Sequence, residues 1–563
     1  MADLISWLFF SIPFLAVAGI ALLTVLGIGI GLVCPRILAY AYLAMFFSFN
    51  STSYGSLSMA ATGGVYSRGS GMLLFALVLW CVLGAWCCAR ASAAFAGLAT
   101  PECNLRPWFT GWLILLVLHV GAALASGVKM SAALAPSGFA NIVWMAPAIF
   151  LLLQSFRTRT HAHELMRFIM LAGLARALFG LVRWAALGGD PNNVYANRNA
   201  IAISLTFFDI NDSLLCCMAL AIAALYILWP GSGATTSSPD HAAWRWLAWS
   251  TLLATSLCIL LSYRRTAWIG SLLAGLVIAW RFPWRRRWQL LALGLPPVGL
   301  GISMLLARRF AQSEQHGLFS MVYDMRSHRF GAESERVLEL KLALADFLAH
   351  PLSGIGAWGR YAGFEHISWQ ANQDGGLFVH SGVLHIALKA GLPGLVLAGG
   401  LGWACMRAGS TALRQGTANA ADGKPANVAV LALATAGVAG LAFMLPDILV
   451  GTPVPQVRTS QMLAICMALP YIALQTARQA TAPVQTAAPP VATPAAARAT
   501  TPSFDRATMP TAAHAATPAA AHAATPVATP AFAPVATSAE TVLAPATPDA
   551  VVAASPAPVG APP

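Results

Sequence analysis

The sequence predicts an all-α, polytopic membrane protein, and three observations carry that prediction. Of 563 residues, 58% are hydrophobic and only 9% are charged, whereas a soluble domain carries about 25% charged residues. The mean hydropathy is +0.68. Apolar stretches of spanning length recur along most of the chain. Such a composition cannot cover a water-facing surface of ordinary size, which excludes a soluble enzyme, a disordered hub and a disulfide scaffold.

A helix crossing ~30 Å of hydrocarbon at 1.5 Å per residue needs about 20 mostly apolar residues. That length selects 5–33, 37–50, 72–89, 109–128, 139–156, 168–187, 200–229, 247–263, 266–280, 288–307, 379–406, 429–450 and 461–478. The total is about 12 to 14 spans. It depends on whether 5–33 is one tilted helix or a pair broken near Pro13, and on whether 200–229, with Asp209 and Asp212, begins at the interface. The opening Met-Ala-Asp-Leu lacks the basic stretch of a cleaved signal peptide, so the first helix is expected to be retained. Most of the ten cysteines fall inside apolar runs and read as small buried hydrophobes.

The net charge is +13. Its bases gather in short clusters between spans, as at Arg157–Arg159 and Arg281–Arg287, where they orient helices by the positive-inside rule. Nucleic acid is not an expected partner. With 281–287 inside, the polar stretch 308–378 lies outside, and the basic loops around 157–167 and 407–424 agree with that orientation. Within the stretch, Glu333 to Ala349 carries Val337, Leu340, Leu344 and Phe347 at helical spacing, an amphipathic helix. The chain thus divides into N-terminal membrane helices (1–307), an outside loop domain (308–378), C-terminal membrane helices (379–480) and an Ala/Pro/Thr-rich tail (481–563). The tail cannot bury a core, is expected to be disordered, and by this topology lies inside.

Three polar features fall on the outer face: Asn197-Arg198-Asn199, the turn Ser262-Tyr263-Arg264-Arg265-Thr266-Ala267, and His380, with Arg336 on the loop helix. Arginine presents a planar, permanently charged fork that matches phosphate. Histidine is suited to accept a proton from an attacking hydroxyl near neutral pH. Together they suit a diphosphate-linked lipid. Each has a plain alternative: arginines at helix ends snorkel to head groups, Asn-Arg-Asn caps a helix, and a boundary histidine is an interfacial polar residue. Arg264–Arg265 resists the plain reading, because the outside is where the positive-inside rule disfavours it. Arg176, Arg183, His119, Lys389 and Asp447 lie within spans and are read as structural.

These residues resemble the bacterial O-antigen ligase superfamily, which also holds O-antigen polymerases and protein O-oligosaccharyltransferases. The resemblance rests on Asn197–Asn199 opening a helix, on Arg264-Arg265-Thr266-Ala267, and on Arg336 followed by His350-Pro351-Leu352-Ser353-Gly354-Ile355-Gly356. It rests also on His380-Ser381-Gly382-Val383-Leu384 with Gly391-Leu392-Pro393-Gly394. Ser381 stands where the family has asparagine, and Arg264 where it has serine. The resemblance spans roughly 190–400 and implies a glycosyltransferase C-like membrane fold. It implies inverting glycosyl transfer at the periplasmic face of the bacterial inner membrane, without cofactor or metal; Glu333, Glu335 and Asp324 are the alternative metal-ligating acids. The donor implied is a glycan on undecaprenyl diphosphate. His380 would activate the acceptor hydroxyl, and Arg198 and Arg265 would hold the diphosphate, with Asn197, Asn199 and Arg264 beside them. Arg336 would hold donor or acceptor.

Three acceptors compete: lipid A-core for a ligase, a second lipid-linked repeat for a polymerase, and a protein hydroxyl for an oligosaccharyltransferase. The ligase is favoured, with the polymerase next. From another class, a flippase or transporter also has many spans, but transport sites sit near the bilayer midplane, and the residues named here gather at one face.

Overall fold

The computed structural model describes residues 22, 24–48, 77–135, 137–190, 204–229, 239–282, 284–312, 332–367, 378–421, 427–451 and 454–481. Among them the elements in order are α1 (Thr24–Val33), α2 (Pro35–Ser48), α3 (Leu77–Phe95), α4 (Arg106–Ala125), α5 (Met130–Ala133), α6 (Ala140–Val143), α7 (Met145–Ser155) and α8 (Arg159–Ala186). Then follow α9 (Ile210–Leu228), α10 (Pro239–Leu260), α11 (Arg265–Arg281), α12 (Trp284–Gln312), α13 (Ala332–Ala349), α14 (Gly382–Ala421), α15 (Val428–Val450) and α16 (Val457–Thr481). No strand occurs among the described residues.

A helix stands at each predicted span, so the fold is all-helical as the sequence implies. By length and composition 7 described helices qualify as membrane spans, or up to 8 if the bent pair α1–α2 counts as one. The apolar helices Ala140–Ser155 and Arg265–Trp280 are shorter. The break expected near Pro13 lies outside the described residues; α1 and α2 meet at Cys34 with a bend of 117°. The run 200–229 becomes helical only at Ile210. The Asp209 side chain caps α9 by accepting from Asn211 N–H at 2.9 Å, and Asp212 lies in the helix's first turn. The described chain ends at Thr481, and the Ala/Pro/Thr tail beyond it lies outside the described residues.

α15 and α16 form the buried centre, with α9 beside them, while α3 and α4 remain largely exposed at the periphery. Small residues bring these axes together. Gly437 and Gly440 of α15 press on Pro470 and Cys466 of α16, and Gly173 of α8 meets Ala219 of α9. α14 runs antiparallel to α15, with Gly409 against Val438 and Gly416 against Leu431. The start of α14 therefore lies at the end of the bundle where α15 finishes.

Candidate active site

That end of the bundle gathers the polar residues. Thr206 N–H donates to Leu261 O at 3.1 Å, joining the approach to α9 with the end of α10. Asn141 Nδ2 reaches the Val454 and Pro455 carbonyls, both at 3.1 Å, ahead of α16, and His385 on α14 bonds Gly138 O at 3.1 Å. The ends of α8, α10 and α15 and the starts of α9, α11, α14 and α16 thus form one layer.

In this layer His380 stands just before α14, and Glu339 of α13 holds it twice. One carboxylate oxygen, Oε2, accepts the His380 backbone N–H at 3.1 Å and lies 2.9 Å from its Nδ1. Glu339 is fully buried, whereas His380 keeps partial exposure. A carboxylate has only acceptors, so Nδ1 carries the proton and Nε2 is the ring's acceptor nitrogen. Phe378 packs edge-on against the ring at 5.3 Å. Tyr361 is buried nearby, in a small core with Ala343, Val379 and Leu388. Burial, and then the Glu339 charge, raises the Tyr361 phenol pKa above its ordinary value, and its hydroxyl has no hydrogen-bond partner among the described residues.

The Pro-x-x-Gly-x-Gly stretch and the Gly391–Gly394 stretch meet backbone to backbone. α14 breaks at Gly391 (φ 64°), so Leu392 N–H turns away from Leu388 and donates to Pro351 O at 2.8 Å. The vacated Leu388 carbonyl accepts Ile355 N–H, also at 2.8 Å. The two segments therefore exchange the hydrogen bonds that an unbroken helix would have kept to itself. Gly354 (φ 63°) faces Gly391 across this contact, and a Cβ on either would collide with the other segment's backbone. Lys389, fully buried, donates from Nζ to Gly359 O and fastens the same loop.

The two arginines of the 262–267 turn part company. Tyr263 reverses the chain at φ 56°. Arg264 then turns into the bundle, donating to Phe208 O and standing 3.8 Å from Asp447 Oδ1, with Phe208's ring 5.5 Å from its guanidinium. Arg265, in the first turn of α11, is exposed, with no ion pair to a described residue. Arg336 is likewise exposed on α13, three residues before Glu339 and so one turn away on a neighbouring face. Asn197, Arg198 and Asn199 lie outside the described residues.

Behind this layer lies a buried charge network of which the sequence reading treated only parts, and as structural. Arg176 meets Asp212 through two bonds, Nε–Oδ1 at 3.1 Å and Nη2–Oδ2 at 3.0 Å. Arg458, at the start of α16, joins Asp209 at 2.8 Å and Asp212 at 2.7 Å. Arg183 pairs with Asp190 at 2.7 Å, and Asp190 also accepts Phe208 N–H at 2.8 Å. Phe208 is thus held by its N–H through Asp190 and by its carbonyl through Arg264. Paired this way, buried charges escape most of the cost of leaving water.

Sequence reasoning missed Glu339 and Arg458. The amphipathic pattern placed Val337 and Leu344 on the buried face of α13, yet both are exposed, and Glu339 and Ala343 are buried. The helix is turned so that its acid reaches His380. The acid's i, i+4 relation to Ala343 was the available signal.

Over the part of the chain that carries this carboxylate-held histidine and outward arginine, the helical bundle is similar to a family of membrane glycan-transferring enzymes. Residues 250–399 match the family model described as O-antigen ligase, so the chain carries an O-antigen ligase domain. The match contains the Arg264–Arg265 turn, Arg336, Glu339, His380 and both glycine stretches. No curated protein matches the chain.

Proposed function

We propose that the protein moves a glycan from undecaprenyl diphosphate to an acceptor hydroxyl, with lipid A-core as the favoured acceptor, at the periplasmic face of the bacterial inner membrane. The observation that carries this reading is His380 fixed by Glu339 at the same bundle end as the exposed Arg265. The acceptor oxygen attacks the anomeric carbon opposite the diphosphate, and the new C–O bond forms as the bond to phosphate breaks. The electron pair leaves on the diphosphate, where Arg265 stabilises the developing charge. The hydroxyl proton passes to His380 Nε2. Glu339 keeps the proton on Nδ1 and stabilises the imidazolium that forms. Arg336 holds donor or acceptor from α13, and Arg198 with Asn197 and Asn199 supplies further diphosphate contacts. Arg264, engaged with Phe208 and Asp447, serves this reading by setting the turn that presents Arg265.

A polymerase or a protein O-oligosaccharyltransferase would use the same chemistry on another acceptor. A flippase fits less well, since the residues gather at the end of the bundle and not at mid-span. The test supplies membranes with labelled undecaprenyl-diphosphate glycan and follows label into lipid A-core, longer lipid-linked glycan and protein. Transfer into lipid A-core, lost in Arg265→Ala and His380→Ala, supports the ligase. Transfer to another fraction reassigns the acceptor. Unimpaired transfer by both variants, or label that only crosses the bilayer, overturns the reading.

A further inference from the structure

Between α10 and α12 an apolar groove runs from the other end of the bundle toward the Arg264–Arg265 turn. We propose that this groove is a binding site for an anionic phospholipid, with its acyl chains along the groove and its phosphate at Arg245 and Arg285.

The groove has a volume of about 810 Å³ and is lined by Trp246, Trp249, Leu253, Pro296 and Leu300, with Arg245 at its rim. Its polarity is graded along its length. On α10 the lining positions from Ala242 to Leu253 share one face, and Arg245 lies on that face. On α12 the lining residues Ala292, Pro296 and Leu300 continue toward the helix start as Gln289 and Arg285, at helical spacing. Two exposed arginines, one from each helix, therefore stand at the same end of an otherwise apolar channel. α12 carries no acid, and the one acid of α10, Asp240, is five residues from Arg245 in sequence.

The depth of the rim follows from the tryptophans. Trp246, Trp249, Trp280, Trp284 and Trp288 are all exposed around it, the pattern of a membrane–water interface, where phosphate groups sit. Basic pockets between helices at that depth recognise anionic head groups. The head group held at the rim is distinct from the diphosphate of the proposed active site. Arg245 precedes Leu260, the end of α10 beside the Arg264–Arg265 turn, by fifteen residues, or about 22 Å of helix. A diphosphate bound at Arg265 and one bound at Arg245 would lie at opposite ends of the span.

The test is a native mass-spectrometry titration of the full-length, detergent-purified protein with dioleoyl phosphatidylglycerol and, separately, dioleoyl phosphatidylcholine. One phosphatidylglycerol should be retained at lipid concentrations where phosphatidylcholine is not. The Arg245→Ser/Arg285→Ser double variant should bind it roughly 10- to 30-fold more weakly. Ala292→Trp, which fills the groove and leaves both arginines, should also abolish retention. Equal retention of the two lipids, or undiminished retention in both variants, overturns the site. Displacement of phosphatidylglycerol by undecaprenyl diphosphate in wild type, absent in Ala292→Trp, also overturns it, because the groove would then belong to the donor. The readout does not involve glycan transfer, so it stands or falls apart from the transferase reading.

Discussion

Glu339 makes the sharpest demands of any single residue. It accepts both the His380 main chain and ring, so Glu339→Gln keeps the shape but removes the charge that favours the Nδ1–H tautomer and the imidazolium. Glycan transfer by that variant is expected to fall roughly 10²–10⁴-fold, as for loss of a positioned base, with donor binding little changed. A variant as active as wild type would make Glu339 a packing residue only. Tyr361 offers the opposite case: its buried hydroxyl has no partner among the described residues, and an unpaired buried polar group costs about 1–3 kcal/mol. Tyr361→Phe should therefore raise the thermal midpoint in detergent. The raised Tyr361 pKa also fixes a pH dependence. The folded state favours the neutral phenol, so that preference costs nothing below pH about 10, where the unfolded tyrosine is neutral too. It is lost as stability above that pH, as the unfolded tyrosine ionises first. The variant should lose less stability than wild type on moving from pH 8 to pH 11.

At the scale of elements, the seam between the 351–355 loop and the break in α14 decides whether the site assembles. Gly391→Ala would place a Cβ at φ 64° against the Leu352 carbonyl. The cost should be at least about 2 kcal/mol from backbone strain alone, seen as a lowered midpoint together with lost transfer, while Gly399→Ala, with open space around it, should be silent. An equal effect of the two would refute the seam's role. Much of this level was legible in the sequence. The apolar runs marked their helices, and the two glycine stretches and the arginine turn were visible as motifs, because residue type and local spacing determine them. That the glycine stretches bind each other was not legible, since the contact is between distant backbones. Nor was the rotation of α13, because it is set by the contact of Glu339 with His380, 41 residues away. Arg458 looks like an ordinary helix-start arginine, and its partners Asp209 and Asp212 lie 249 and 246 residues away.

For the molecule as a whole, that distant pairing is the principal constraint. Arg176, Arg183 and Arg458 are matched by Asp190, Asp209 and Asp212, and Arg264 by Asp447. Breaking one buried pair by removing a single partner costs about 3–5 kcal/mol, so Arg458→Met should sharply lower the detergent melting midpoint, more than removal of the exposed pair Arg478–Glu102. If Arg458→Met melts like wild type, the network carries no stability. The same pairing bears on how the protein is made. Arg176 of α8 gains Asp212 only once α9 is in place, and Asp209 meets Arg458 only when the last described helix arrives. A lone charge at the middle of an inserting helix is penalised by about 2.5–3.5 kcal/mol. During biogenesis the early helices are therefore expected to stay incompletely settled until α16 delivers its arginine. A ribosome stalled before residue 457 should leave a nascent chain that insertion-quality proteases recognise, and one stalled far enough into the tail for α16 to have left the ribosome should not.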